Sequence, residues 1–104
     1  MRPKIKRHIC TEKFAKCSLF KPNGIPAKEL IKVSIESDEL EAIRLVDIEG
    51  FSQQDAAKKM QVSRQTFANI LKKSRFKIST ALINGHALVM PEELVVSEPK
   101  GQTL

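Results

Sequence analysis

The 104-residue sequence contains no tryptophan, no tyrosine and only five phenylalanines. Proteins that bind RNA or single strands stack bases on exposed aromatic side chains, so this scarcity argues against both classes. Four scattered glycines and two histidines form no phosphate-cradling loop and no recognisable pair of nucleophile and base. We therefore expect a protein without enzymatic activity and without a cofactor.

Long apolar runs are also missing. Stretches such as residues 87–90 are far too short to span a bilayer, and the basic start is not followed by a signal-peptide hydrophobic region. Two cysteines, Cys10 and Cys17, do not make the disulfide framework of a small secreted protein. These absences predict a cytoplasmic protein with two reduced thiols.

Acidic residues are outnumbered by basic ones. Lysine and arginine number 18 against 12 aspartates and glutamates, which gives a net charge of +6 and a pI near 9.6. Such a charge favours a polyanionic partner, either nucleic acid or, on charge alone, an anionic membrane surface. The length allows one domain with a core that folds without disulfides or a structural metal.

The chain divides into three parts. Residues 1–29 carry eight basic residues against two glutamates and are broken by prolines, which indicates a basic arm with turns. Residues 30–90 form the predicted domain, and residues 91–104 a mostly disordered tail with one edge strand. The domain begins with a short half-buried strand over residues 30–35, with Ile31, Val33 and Ile35 on one side.

The rest of the domain is predicted to be helical, so the fold class is mainly α. Three helices each follow a serine suited to an N-cap, namely Ser37, Ser52 and Ser63, and glycines end the first near Gly50 and the third at Gly85. The third helix has the strongest periodicity, with small or apolar residues at three- and four-residue steps. These are Phe67, Ile70, Leu71, Ser74, Ile78, Ala81 and Leu82.

Residues 53–72 have the pattern of a helix-turn-helix. Ala57 is the small residue that lets two helices cross closely, and residues 61–63 supply the turn and the second N-cap. The inner apolar positions are Ala56, Met60, Val62, Phe67 and Ile70. The alternative is an ordinary amphipathic helix pair whose polar face is merely solvated.

The polar side of the third helix suits contacts with double-stranded DNA. Arg64 can pair with guanine, and Gln65 or Asn69 with adenine, while Lys72 and Arg75 can meet flanking phosphates. The full predicted set is Arg64, Gln65, Thr66, Ala68, Asn69, Lys72 and Arg75. Because one helix reads few base pairs, we expect a homodimer or a higher symmetric assembly.

The basic arm offers a second DNA contact. Its first residues could follow the phosphates or enter the minor groove, as the arms of other helix-turn-helix proteins do, or remain a solvated tail. The residues concerned are Arg2, Lys4, Lys6 and Arg7. Phe76, on the polar side of the third helix, is expected to pack against the N-terminal segment or a second subunit.

The motif resembles a known family. Residues 38–47 (DELEAIRLVD), 49–50 (EG), 56–57 (AA) and 62–67 (VSRQTF) are similar to an uncharacterised family of predicted prokaryotic DNA-binding proteins, and the similarity covers most of residues 1–90. The core also resembles the promoter-reading fourth region of bacterial sigma factors. The resemblance implies transcriptional regulation by sequence-specific DNA binding, with no established target or ligand.

One position departs from that broader class. Its turn usually contains glycine, whereas this chain has Gln61. The position is expected to adopt a left-handed backbone, which costs a residue other than glycine about 1 kcal/mol. The sequence therefore predicts a slightly strained or differently shaped turn.

A metal- or redox-responsive regulator is the main alternative function. His8, Cys10 and Cys17, with His86 as a fourth candidate, could offer thiolates and imidazoles to zinc or another soft metal. The six-residue gap between the cysteines is unlike a compact zinc knuckle, so free thiols and ordinary histidines are the simpler interpretation. A protein-interaction module without specific DNA recognition is a further alternative.

Overall fold

The computed structural model describes residues 13–96. It consists of three α-helices and a small three-stranded sheet. The helices are α1 (Ser37–Ile43), α2 (Gln53–Lys59) and α3 (Arg64–Asn84), and the strands are β1 (Leu19–Phe20), β2 (Lys32–Ser34) and β3 (Ala87–Val89). The three helices agree with the prediction, whereas the sheet is larger than the single strand expected.

The N-cap of helix α1 lies one residue earlier than predicted. Glu36, rather than Ser37, is the N-cap residue, because the Glu39 carboxylate accepts a hydrogen bond of 2.9 Å from the backbone N–H of Glu36. Ser37 is the first helical residue, and its hydroxyl donates to the Glu93 carboxylate. The serine therefore connects α1 to the C-terminal segment.

The end of the first helix is wider than an α-helix. Residues Arg44–Ile48 form a π-helical turn, and the N–H of Glu49 donates to the carbonyl of Arg44 at 2.9 Å. Ile48, the last residue of this turn, is 74% exposed. Gly50, with φ of +83°, ends the element as predicted.

The helical core lies where the three helices meet. Its buried residues are Ala42, Leu45, Ala56, Ala57, Met60, Phe67, Ile70 and Leu71. The predicted stripe of α3 is buried from Phe67 through Ala81, with Ile78 half-buried, but Leu82 is 74% exposed. Its predicted burial is wrong because the sheet, at this end of α3, covers only the side that carries Ala81.

The sheet joins distant parts of the chain. Its order is β1-β3-β2, with β1 antiparallel to β3 and β2 parallel to it. The predicted strand is present at Lys32–Ser34, but Ile31 is 64% exposed whereas Ile35 is buried. The expected single apolar row fails at Ile31, although its carbonyl accepts a hydrogen bond of 2.9 Å from the N–H of Ala87.

The segments on either side of the helices pack on each other. Ala15 forms a parallel bridge with Val95, and the N–H groups of Phe14 and Ala15 both donate to the carbonyl of Leu94, at 3.1 and 2.9 Å. Leu94 and Pro91 are buried. Residues 91–96 thus pack on the segment around Ala15, and the disorder expected of the tail stays a prediction.

Candidate nucleic-acid interface

Helices α2 and α3 follow each other through a short turn, and both begin with the predicted caps. Ser52 Oγ accepts a hydrogen bond of 3.1 Å from the N–H of Asp55, and Ser63 Oγ accepts one of 3.0 Å from the N–H of Thr66. Each bond satisfies a backbone donor that the first helical turn leaves unpaired. The start of α3 is thus well defined.

The turn has the left-handed residue that the sequence predicts. Gln61 has φ of +57° and is the one non-glycine residue with positive φ within residues 13–96. The N–H of the next residue, Val62, donates to the carbonyl of Ala57 at 3.0 Å. A left-handed residue therefore reverses the chain directly after α2.

The contact between α2 and α3 is close. Ala57 is only 3% exposed, as expected for a crossing residue, and Ala56, Met60 and Phe67 are fully buried. Small side chains at a crossing let helix axes approach, and the larger Met60 and Phe67 fill the space beside it. Helix α3 is thereby supported along one face while the opposite face stays open.

Most predicted DNA-contacting side chains lie on that open face. Arg64, Gln65, Asn69, Lys72 and Arg75 are exposed, whereas Thr66 and Ala68 are half-buried. Thr66 serves the N-terminal cap, since its Oγ1 lies 2.9 Å from Ser63 Oγ, so its predicted place on the surface is only partly realised.

Two amides of the open face are already connected. Gln65 Nε2 donates to Asn69 Oδ1 at 3.3 Å, one helical turn away. This bond uses one donor and one acceptor. It leaves the Gln65 carbonyl oxygen and the Asn69 amino group to be satisfied from outside the protein.

The two predicted phosphate contacts have different environments. Arg75 forms an ion pair with Asp47, with 2.6 Å between Nη2 and Oδ1 and 3.3 Å between Nε and Oδ2. Within residues 13–96 no carboxylate lies within ion-pair distance of Lys72 Nζ. Lys72 is therefore the stronger of the two cationic candidates.

Other basic side chains add to this surface. Lys58 and Lys59 are exposed in the last turn of α2, and Lys59 Nζ lies 4.7 Å from the centroid of the Phe51 ring. Lys73 is exposed as well and lies 4.0 Å from the Glu39 carboxylate. The predicted contacts are confined to the third helix and the N-terminal arm, so they omit Lys58 and Lys59, although the Lys-Lys pair after Ala57 is visible in the sequence. They also omit Lys73, which lies on the third helix itself.

The remaining predicted contacts and ligands are only partly described. Arg2, Lys4, Lys6, Arg7, His8 and Cys10 lie outside the described residues. Cys17 is an exposed free thiol, and His86 Nδ1 is buried without a hydrogen-bond partner in the described part of the chain. Over residues 13–96, no three His, Cys, Asp or Glu side chains are placed to hold a metal ion.

Phe76 is 70% exposed, so residues 13–29 of the predicted basic arm do not cover it, while residues 1–12 lie outside the described part of the chain. Contact with a second subunit stays a prediction.

No helix within residues 13–96 combines the length and the apolar character needed to cross a bilayer.

Comparison with known proteins identifies relatives. A family model described as "Protein of unknown function DUF134" matches residues 1–93. A UPF0251 protein of Vibrio parahaemolyticus is 54% identical over 92 residues, which cover 88% of this chain and 94% of the relative. A UPF0251 protein of Shewanella sediminis is 57% identical over 77 residues, covering 74% and 80% of the two chains. A third, from Aeromonas salmonicida, is 55% identical over 89 residues, covering 86% and 85%. No solved structure matches the chain significantly.

Proposed function

Because the chain belongs to the DUF134 family, whose description states no function, we propose its function from the geometry of α2, the turn and α3. We infer that these elements form a helix-turn-helix that binds double-stranded DNA sequence-specifically and regulates transcription. The observation that carries the proposal is the polar, exposed first half of a 21-residue helix whose other face is supported by α2.

The shape of this unit suits the major groove. An α-helix with its side chains is about 10–12 Å across, and the major groove of B-DNA is about 12 Å wide. The Gln61 turn and the Ala57 crossing hold α3 against α2, so α3 can enter the groove while α2 lies across its edge. The resemblance to the fourth region of sigma factors supports the same arrangement.

The side chains of the first turns suit base recognition. Arg64 presents a guanidinium fork that matches the two acceptors of guanine, and Gln65 and Asn69 present amides that match adenine. The bond between the two amides restricts their rotation before DNA arrives. Restricted side chains lose less conformational entropy on binding, which favours discrimination between bases.

Phosphate contacts would come from the lysines around α3. Lys72, Lys58 and Lys59 are exposed, and their charges release counterions when they approach DNA. Arg75 is less suited than the sequence indicates, because Asp47 already neutralises it. The overall charge of +6 adds a long-range attraction to DNA.

The direct test is selection of a binding site by the full-length protein from a pool of random duplexes. We expect an enriched motif whose affinity exceeds that for a scrambled duplex by about 10³-fold or more at physiological salt. Single-stranded DNA and duplex RNA of the same sequence should compete poorly. Selection that yields no motif, or equal competition by RNA, would contradict the proposal.

A further inference from the structure

The second half of α3 carries an apolar surface that the DNA-binding proposal does not use. Phe76, Leu82 and Ile83 are 70%, 74% and 83% exposed. Between residues 76 and 84 the sole charged side chain is Lys77, whose ammonium lies 2.7 Å from Glu39 Oε1 and 2.8 Å from the carbonyl of Ser34. Exposed lysines border this surface, namely Lys72, one helical turn before Phe76, and Lys21, which lines a cavity together with Leu82.

A groove adjoins this surface. It lies between α3 and β1, has a volume of about 430 Å³ and is predominantly apolar. Its lining residues include Phe20, Pro22, Leu82, His86 and Leu88. Phe20 is itself 55% exposed and lines the groove together with Leu82.

We propose that this apolar face, formed by Phe20, Phe76, Ser79, Leu82 and Ile83, binds the same face of a second copy of the chain. The two α3 helices pair antiparallel, with the two-fold axis near Ser79. A two-fold interface must be complementary to itself. This pairing satisfies the condition, since Phe76 of one copy lies opposite Leu82 and Ile83 of the other and next to the groove, which accepts its ring.

The exposed apolar area supplies most of what one partner buries in a standard interface. If a fully exposed large apolar side chain presents about 200 Å², Phe20, Phe76, Leu82 and Ile83 together expose on the order of 550 Å². That equals the largest apolar patch of a typical monomer. With the polar rim, it approaches the roughly 800 Å² that each partner buries in a standard interface.

The pairing also fixes how far apart the two segments proposed to read DNA, residues 65–69 of each copy, would lie, a point that rests on the proposed function. The midpoint between Gln65 and Asn69 is 12 residues from Ser79, or about 18 Å at 1.5 Å per residue. Antiparallel pairing at Ser79 therefore separates these two segments by about 36 Å along the helices.

Pairing leaves the reading side chains accessible. With the axis at Ser79, residues 74–84 of the two helices lie side by side, and Gln65 and Asn69 lie outside this overlap. At 100° per residue, Ser79 and Leu82 point about 60° and 120° away from the direction midway between Gln65 and Asn69, whereas Phe76 and Ile83 point nearly along it.

The first test measures the dimer dissociation constant by sedimentation for the wild type and for Phe76→Asp and Leu82→Asp. Both substitutions are on exposed positions, so the fold should persist, which circular dichroism verifies. Each should raise the dissociation constant by about 30-fold or more, as expected for a buried anchor residue. Ile48→Asp is the matched control, because Ile48 is 74% exposed like Leu82 but lies on the π-helical turn; it should have no effect.

A second test locates the two-fold axis. In a Cys10→Ser, Cys17→Ser background, Ser79→Cys should form an intermolecular disulfide with its own counterpart under mild oxidation, and Ile48→Cys should not. A wild type that is monomeric at about 100 μM would overturn the proposal, as would a dimer that survives both aspartate substitutions. These results are independent of DNA, so a dimer that selects no DNA motif would contradict the proposed function alone.

Discussion

Arg75 on α3 and Asp47 on the π-helical turn after α1 form an ion pair with 2.6 Å between Nη2 and Oδ1. Both side chains are partly exposed, at 48% and 39%. Such a pair contributes little to stability, about 0–1 kcal/mol. Its larger effect is on charge, because it removes one cation from the side of α3 that the sequence assigns to phosphate binding.

Removal of the Asp47 carboxylate should therefore strengthen binding to any DNA duplex, whatever its base sequence. For Asp47→Ala we expect higher affinity for selected and scrambled duplexes alike, and a salt slope steeper by about one unit if Arg75 then meets a phosphate. Titrations at several salt concentrations measure both. Glu49→Ala changes the net charge equally but leaves Arg75 paired, so it should not change the slope; equal slopes for both variants would contradict this role of Asp47.

Loss of Arg64 or Gln65 should reduce the specificity of DNA binding more than the general affinity for duplex DNA. Gln65→Ala or Arg64→Ala should cost about 1–3 kcal/mol on the selected site and much less on a scrambled duplex, because only the selected site offers the matching base edges. Anisotropy titrations with the two duplexes give the ratio. An unchanged ratio in both variants would show that α3 is not the reading element.

Lys72 should contact a phosphate rather than a base. Lys72→Ala should weaken binding to selected and scrambled duplexes similarly and lower the salt slope by about one unit, through the loss of one phosphate contact. Lys28→Ala, at an exposed lysine of the 3-10 turn Ala27–Glu29 and outside the three α-helices, controls for net charge. A Lys72 variant that loses affinity only on the selected site would instead make Lys72 a base contact.

Replacement of the left-handed turn residue should stabilise the fold. Gln61 has φ of +57°, so Gln61→Gly removes a strain of about 1 kcal/mol and should raise the free energy of unfolding by up to that amount. Lys58→Gly, three residues earlier in α2, should lower it by about 1 kcal/mol. Urea denaturation distinguishes the two, and a destabilised Gln61→Gly would mean that the side chain makes a contact worth more than the strain.

Enlargement of the crossing residue, Ala57, should destabilise the fold. Ala57→Leu forces α2 away from α3 and should lower the free energy of unfolding by about 1–3 kcal/mol. Lys58→Leu adds a similar side chain at an exposed neighbouring position and should be nearly neutral. If the two variants unfold at the same urea concentration, the close approach at Ala57 does not contribute to stability.

Features that depend on neighbouring residues could be predicted from the sequence. Ser52 and Ser63 cap the helices that follow them, and Gln61 takes the left-handed conformation, because short-range hydrogen bonds and backbone sterics determine these positions. The apolar periodicity of α3 predicts most of its buried stripe correctly. Five of the seven α3 residues proposed to contact DNA are exposed, as that periodicity predicts.

Features that depend on residues distant in the sequence could not be predicted from it. The Arg75–Asp47 pair joins positions 28 apart in sequence, and nothing in the local pattern of either residue indicates it. The exposure of Leu82 depends on how much of α3 the sheet covers. Leu94 is buried, and its carbonyl accepts hydrogen bonds from the distant N–H groups of Phe14 and Ala15. Periodicity shows which face of a helix is apolar but not what covers it.

The central position of β3 also has a consequence for the order of folding. Its antiparallel partner, β1, pairs Leu19 with Val89, so the sheet closes a loop of about 70 residues, at an entropic cost of about 4 kcal/mol before any strand contact compensates it. The contacts between α2 and α3 span short distances in sequence and form quickly. We therefore expect the helices to assemble first and the sheet to close last, so that amide protons of β1 and β3 exchange with solvent through openings that leave the helical core intact.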